Sequence, residues 1–295
     1  LTIISVGNIT TGGSGKTPLV MYLANLLIKN GKNPGIVSRG YGRKSKGLVV
    51  VHDGKKMKAK VESAGDEPFL MATILKSVPV IVCEDRREAI RHLLNSSKVN
   101  IIIMDDGFQN PTIYKDFSII VINASQEFGN KRVMPSGPLR ESIKRGLTRT
   151  NLVIIIGDSS NDLKNVIPSH IPILSAKFII NKENKIFKGQ KITAFAGIAY
   201  PEKFFNSLAE QGAQIVKEVI YPDHHIYLEN DLLNLAEIAN KTQSILVSTQ
   251  KDFVRIPKSY HSLINTLEGE IVFDNEELLL EILSNIVENH LTDDK

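Results

Sequence analysis

A single cysteine in 295 residues rules out an intrachain disulfide. That residue, Cys83, follows the apolar run Val80-Ile81-Val82, as a core residue would, and a nearly cysteine-free chain suits a reducing compartment. No Cys and His residues fall at metal-ligand spacing, and no apolar run reaches the roughly 18 residues of a membrane-crossing helix. No secretory leader, internal repeat or low-complexity tract is visible. The guanine-reading N-K-x-D motif is also missing: Asn181-Lys182-Glu183-Asn184 lacks the acid, and Lys251-Asp252 is wrongly spaced. Charge of either sign is scarce in excess, the net being +4 with charged residues at 23%. Such a mild basic balance suits an anionic partner without calling for nucleic acid. The chain opens at Leu1, from which we expect a segment upstream; any membrane anchor there would lie outside this sequence.

What is present begins almost at once. The apolar run Ile3-Ile4-Ser5-Val6 leads into Thr10-Thr11-Gly12-Gly13-Ser14-Gly15-Lys16-Thr17, followed by a helical pattern from Leu19 to Leu27. Strand, glycine-rich loop, Lys-Thr and helix is the order of a phosphate-binding P-loop, in which successive backbone N–H groups converge on one anion. Lys16 would serve the β- and γ-phosphates and the Thr17 hydroxyl Mg²⁺. The motif G-x-x-x-x-G-K-[ST] has glycine where this chain has Thr10, and the alternative is an ordinary glycine turn before a helix.

Strand candidates recur at α/β spacing: Thr2–Val6, Gly35–Val37, Val78–Val82, Asn100–Met104, Phe117–Ile122 and Leu152–Ile156. Most are apolar on both faces, as strands covered by helices on two sides must be. Helical patterns span Pro18 to Asn30, Glu67 to Lys76 and Arg86 to Leu94, and Leu48–Val51, Asp53-Gly54 and Met57–Val61 read as an inserted hairpin. Ser175–Ile180, a polar turn over Asn181–Lys185 and Ile186–Phe187 read as a two-stranded connector. A second α/β pattern then runs from strand Ile192–Ala196 to helix Glu276–Glu288, with Glu270–Phe273 as one of its strands. The expectation is a P-loop NTPase-type three-layer α/β domain with a mainly parallel sheet over 1–185. A smaller α/β lid domain over 186–295 would be joined to it by that connector.

Other stations carry chemistry. Ile101-Ile102-Ile103-Met104 ends in Asp105-Asp106, the Walker B pattern of a buried strand with an acid facing Mg²⁺, although Asp106-Gly107 is also turn chemistry. Gln109 follows closely enough to join the same metal shell. Gly65-Asp66-Glu67-Pro68 sets two carboxylates at a helix start. These read either as capping residues or as a base for an attacking hydroxyl beside a metal ligand. Arg39, Arg43, Lys44 and Lys46 crowd a glycine-containing loop after a strand, and Arg140 lies at a turn opening a helix; each is an anion-contact candidate or simply solvated charge. In Asp223-His224-His225, adjacent histidines on an extended chain face apart, so a capping role stands beside that of orienting a carboxylate.

Taken in order, these motifs resemble the tetraacyldisaccharide 4′-kinase family of lipid A synthesis. The resemblance rests on Val6-Gly7-Asn8-Ile9-Thr10 with Gly12 to Pro18, Ser38-Arg39-Gly40-Tyr41-Gly42, Gly65-Asp66-Glu67-Pro68 and Asp105-Asp106-Gly107-Phe108-Gln109. It continues through Gly137-Pro138-Leu139-Arg140-Glu141, Ala194-Phe195-Ala196-Gly197-Ile198 and Pro222-Asp223-His224-His225. That family tolerates a non-glycine first P-loop position. Departures are Gln250 where Glu is expected, and Tyr200 where a smaller or polar residue is commoner. The resemblance implies transfer of the ATP γ-phosphoryl group to the 4′-hydroxyl of an acylated glucosamine disaccharide 1-phosphate, giving lipid IVA. It implies phosphate contacts from residues 10 to 17, and metal contacts from Thr17, Glu67, Asp105, Asp106 and Gln109. Catalytic roles would fall to Lys16, Asp66 and His224, and substrate contacts to Arg39, Arg43 and Arg140. It also implies a peripheral position at the cytoplasmic face of the bacterial inner membrane, with a membrane-associating helix that would precede Leu1. Two other classes fit the P-loop alone: a switch or insertion ATPase acting on a protein partner, and a nucleotide-binding module without transfer activity. A partitioning-type ATPase would carry a second lysine where Thr11 stands.

Overall fold

The computed structural model describes residues 1–158, 160–181 and 187–292. The first strands are β1 (Thr2–Gly7), β2 (Pro34–Ser38), β3 (Val49–Asp53), β4 (Pro79–Val82) and β5 (Ile101–Asp105). They continue with β6 (Phe117–Asn123), β7 (Leu152–Ile156) and β8 (Ile173–Ile180). With β13 (Gly269–Phe273) they form a nine-stranded sheet in the order β13-β8-β7-β6-β1-β5-β2-β4-β3. Pairing is parallel except at the two edges, where β3 runs antiparallel to β4 and β13 antiparallel to β8.

The central strands are buried on both faces, and alternation splits them cleanly. Ile101 and Ile103 join the core beneath α1 (Lys16–Lys29) and α3 (Asp66–Ile74), while Ile102 and Met104 pack with Ile90 and Leu93 of α4 (Arg86–Ser96). A third cluster, around Ile120, Ile122, Val153 and Ile155, fills the opposite half of that second face. A three-layer domain follows directly from this patterning.

The smaller sheet is wholly parallel, in the order β10 (Gln214–Ile220), β9 (Lys191–Ala196), β11 (Ile245–Thr249), β12 (Ile264–Leu267). It packs against α7 (Pro201–Glu210) and α8 (Glu229–Thr242), around Phe195, Phe204, Leu208 and Leu235. A short helix, α9 (Gln250–Phe253), leaves the end of β11.

Three expectations change. The strand expected at Glu270–Phe273 is present but belongs to the large sheet. The helix after it, α10 (Glu276–Thr292), buries Leu279 and Leu283 in the core of that sheet. Residues 269–292 therefore return to the first domain and are not part of a lid running to 295. The two-stranded connector is built from β8 and β13, whereas Phe187 is fully buried in the second domain's core. The expected boundary near 185 lies outside the described residues. The inserted hairpin is present but short: the His52–Met57 bridge with Lys58 N–H to Val51 O and Asp53 N–H to Lys56 O closes the turn on one edge of β3, whose other edge pairs with β4, and Val61 begins a short helix. A strand at 264–267 that sequence patterning missed completes the small sheet.

Candidate active site

The nucleotide side of the site forms where β1, β5 and β6 end. Gly15, at φ 89°, precedes the first turn of α1, and a Cβ there would come within 2.5 Å of Ile156. Only glycine fits both the left-handed backbone and the close approach. Thr10 to Lys16 thus wrap the N-terminus of α1, where unpaired N–H groups favour an anion. The loop is strapped from outside: Thr11 N–H donates to Pro138 O at 2.8 Å and Arg140 N–H to Ile9 O at 2.8 Å. Ser14 Oγ is buried with no hydrogen-bond partner among the described residues, a polar atom left open inside this cradle.

Lys16 Nζ lies 3.0 Å from Asn8 Oδ1 and 3.5 Å from Asp106 Oδ1. At the end of β5 the two aspartates differ. Asp105 is buried, accepts from Ser38 Oγ at 2.9 Å, and leaves Oδ1 without a partner among the described residues. Burial, then the charges of Glu67 and Asp106, push its carboxyl up to about 7. Asp106 sits at φ 49°, an uncommon conformation for a non-glycine residue and one that functional sites collect. Both its oxygens face Arg140 Nη1, at 3.0 and 3.1 Å. Burial works to raise its pKa, but Lys16 and Arg140 outweigh it and hold Asp106 below the ordinary carboxylate range. Gln109 Nε2 donates to Asn8 O and to Glu141 Oε1, which ties the loop after β5 to the P-loop.

Beside these acids, on the same domain, Gly65 at φ 86° turns the chain into α3, with a Cβ position only 2.9 Å from Tyr41 O. Asp66 and Glu67 open that helix and meet the second domain. Asp66 Oδ2 lies 2.8 Å from His224 Nδ1 and 4.0 Å from Arg255 Nε, and Glu67 Oε1 lies 3.0 Å from Lys251 Nζ. His224 is itself at φ 60°. Burial would raise the Asp66 pKa, yet the His224 hydrogen bond and the charges of Lys251, His224 and Arg255 lower it. Reciprocally, the hydrogen bond to Asp66 raises His224 against burial and Lys251. His225 faces away, stacked on Tyr221 and 3.0 Å from Asp231, in a structural role.

The remaining candidates separate. Arg39 is exposed beside the cleft. Arg43, by contrast, is buried: it pairs with Glu84 at 2.7 Å and donates to Gly47 O, so its guanidinium holds its own loop together and is not presented to a ligand. Thr17 is half-buried at the first turn of α1. Among the described residues no three acidic, histidine or cysteine side chains form a ready-made metal cage. The oxygen donors of Thr17, Glu67, Asp105 and Asp106 nevertheless fit a hard cation that brings its own water and phosphate ligands, and the open Asp105 Oδ1 is such a donor.

Sequence reasoning named His224 of the second domain but missed its Lys251 and Arg255. Lys251 and Arg255 follow the apolar strand β11, the same placement as Asp105 after β5, and that position was the available signal. It also missed a second bracket, in which Lys203 Nζ donates to Ser125 Oγ and Asn123 Oδ1, while Asn123 Nδ2 holds Gly13 O.

The sequence pattern of the family described as tetraacyldisaccharide-1-P 4′-kinase (LpxK) matches residues 1–288. Named tetraacyldisaccharide 4′-kinases are similar throughout. The one from Gluconobacter oxydans is 36% identical over 284 residues, covering 95% of this chain and 85% of that protein. The one from Rhodospirillum rubrum is 38% identical over 285 residues, covering 95% and 84%. Among solved structures, LpxK from Aquifex aeolicus, crystallised in complex with ATP, superposes with a TM-score of 0.80 at 28% identity, covering 97% of this chain and 89% of that one. The P-loop, the acids that surround it and this full-length likeness agree, and the chain belongs to the tetraacyldisaccharide 4′-kinase family.

Proposed function

We propose that the protein transfers the γ-phosphoryl group of ATP to the 4′-hydroxyl of an acylated glucosamine disaccharide 1-phosphate, forming lipid IVA. The observation that carries this reading is the Asp66–His224 pair, in which a histidine of the second domain meets a carboxylate of the P-loop domain. A hydrolytic switch acting on a protein partner has no support from the full-length family match.

Phosphoryl transfer needs alignment and charge neutralisation more than covalent help. The backbone of residues 10–17 and the Lys16 ammonium hold the β- and γ-phosphate oxygens. Thr17, Glu67 and Asp105, with Asp106 and Gln109 at their side, would hold Mg²⁺. The cation would supply neutralisation of phosphate charge. Asp66 accepts the proton of the sugar hydroxyl as the new O–P bond forms, and the bond from the γ-phosphorus to its bridging oxygen breaks with its electron pair leaving on ADP. His224 keeps Asp66 ionised and turned toward the acceptor. Arg140 holds Asp106 in its left-handed turn, and Arg39 is the free cation for the substrate's own phosphate.

No helix among the described residues is long and apolar enough to cross a membrane. A lipid acceptor places the enzyme peripherally, at the cytoplasmic face of the inner membrane where ATP is available. The test is transfer of γ-labelled phosphate from ATP to detergent-solubilised disaccharide 1-phosphate. Label in a lipid product, lost in Lys16→Ala, is the expected result. A folded protein that binds ATP and labels only water overturns the reading.

A further inference from the structure

The second domain brings an ammonium to one of the carboxylates a metal would use. Lys251 Nζ lies 3.0 Å from Glu67 Oε1, and the two side chains are 24% and 35% exposed, so the pair opens onto the cleft. Burial disfavours the charged lysine, but Glu67 and Asp66 outweigh it and hold its pKa above the ordinary value.

The base of this lysine is built with unusual care. Asp252, next in the chain, is fully buried. It accepts hydrogen bonds from Gly197 N–H, Tyr227 Oη, Thr249 Oγ1 and Arg255 Nη2, at 2.9, 2.7, 2.6 and 2.5 Å. Arg255 Nε donates in turn to the carbonyl of Lys251 at 3.2 Å. A buried carboxylate is costly unless its oxygens are satisfied, and here the bonds that satisfy it also fix α9, from which Lys251 projects.

Glu67 cannot serve two cations equally. A divalent ion bound at about 2.1 Å would stand within roughly 5 Å of the ammonium, and like charges that close repel. Nor does Asp66 offer the lysine another carboxylate, since its oxygens are engaged by His224 and by the Glu67 N–H.

We propose that Lys251 is a positioning residue that occupies Glu67 in the cation's place and yields it when the metal–nucleotide enters, so that metal loading breaks one tie between the domains. The inference rests on the reading of Glu67 as a metal ligand. It adds to that reading a competitor carried by the opposite domain.

The test is a double-mutant cycle read by calorimetry, as the ratio of affinities for Mn²⁺–ATP and for metal-free ATP. The proteins are wild type, Lys251→Met, Glu67→Gln and the double variant, with Lys241→Met on α8 as a control for net charge. Lys251→Met is expected to raise the ratio about three- to fivefold, in keeping with a partly exposed ion pair. Lys251→Arg is expected to restore it, and Lys251→Met to have no effect once Glu67 is Gln. An unchanged ratio in Lys251→Met, or an equal rise in both backgrounds, overturns the proposal. A ratio untouched by Glu67→Gln alone removes the metal-ligand reading instead, and the cycle tells these failures apart.

Discussion

The two walls of the cleft carry opposite charge. The large domain contributes Asp66, Glu67, Asp105 and Asp106, and the small domain contributes His224, Lys251 and Arg255. The acids lie at strand ends and a helix start, where a P-loop fold collects metal and nucleotide. The cations lie at matching strand ends of a smaller sheet that has no P-loop of its own. The comparison teaches that Asp105 and Asp106 are held by groups of their own domain, Ser38, Lys16 and Arg140, whereas Asp66 and Glu67 take partners from the second.

The largest expected effect comes from the acidic side. Lys16→Ala, which removes the charge facing Asp106 and the phosphates, is expected to lower kcat about a thousandfold or more without moving the thermal unfolding midpoint. Asp66→Asn should follow, with transfer falling on the order of 10²- to 10⁴-fold while ATP affinity is retained. If ATP affinity drops with it, Asp66 belongs to nucleotide binding and the assignment of a base fails.

On the cationic side, His224→Gln should cost less in kcat and reveal itself in the pH dependence of stability. His224 is raised above its ordinary 6.5, so its share is present below that value and is lost as pH climbs through the raised one. Asp66 is lowered below its ordinary 3.8, so its share is present above that value and is lost as pH falls through the lowered one. The tie is therefore strongest between about pH 4 and 6.5. Lys251 faces both groups, Arg255 adds to the lowering of Asp66, and Asp223 adds to the raising of His224. Thermal melts of the native protein across pH 4 to 9 should decline on the alkaline side, and His224→Gln should flatten that decline.

The smallest effects separate two arginines of one loop. Arg39→Ala is expected to raise KM for the lipid several-fold and leave stability alone. Arg43→Met breaks the pair with Glu84 and is expected to lose about 1 kcal/mol of stability, with KM unchanged. The reverse pattern would return Arg43 to the substrate.

Much of the acidic wall was legible in the sequence, because each of its members sits in a local pattern: glycine loop, apolar strand ending in acid, acid pair before a helix. The cationic wall, apart from His224, was not. Lys251 and Arg255 look like ordinary surface charge until β11 and α9 bring them to Asp66 and Glu67, a meeting across 184 residues for the Lys251 pair. Strand β13 shows a similar limit. Its alternation announces a strand, but nothing local in Gly269–Phe273 says which sheet it joins; it pairs with β8, far off in the chain, and α10 after it buries Leu279 and Leu283 in the same core. The hairpin turn after β3 is present where the sequence favoured it, but the sheet partner of β3, β4, lies beyond it and was not legible there. The motifs that carried the family resemblance supplied His224 as a partner for Asp66 before any geometry did.

The central claim is that phosphate moves to the sugar's 4′ oxygen under the control of Asp66. It is tested most directly by proton–phosphorus correlation NMR of the purified lipid product. A new phosphomonoester coupled to the 4′ proton, absent when Asp66→Asn replaces the native enzyme, is the predicted result. Phosphate found on the existing 1-phosphate, or released only as inorganic phosphate, would contradict the account.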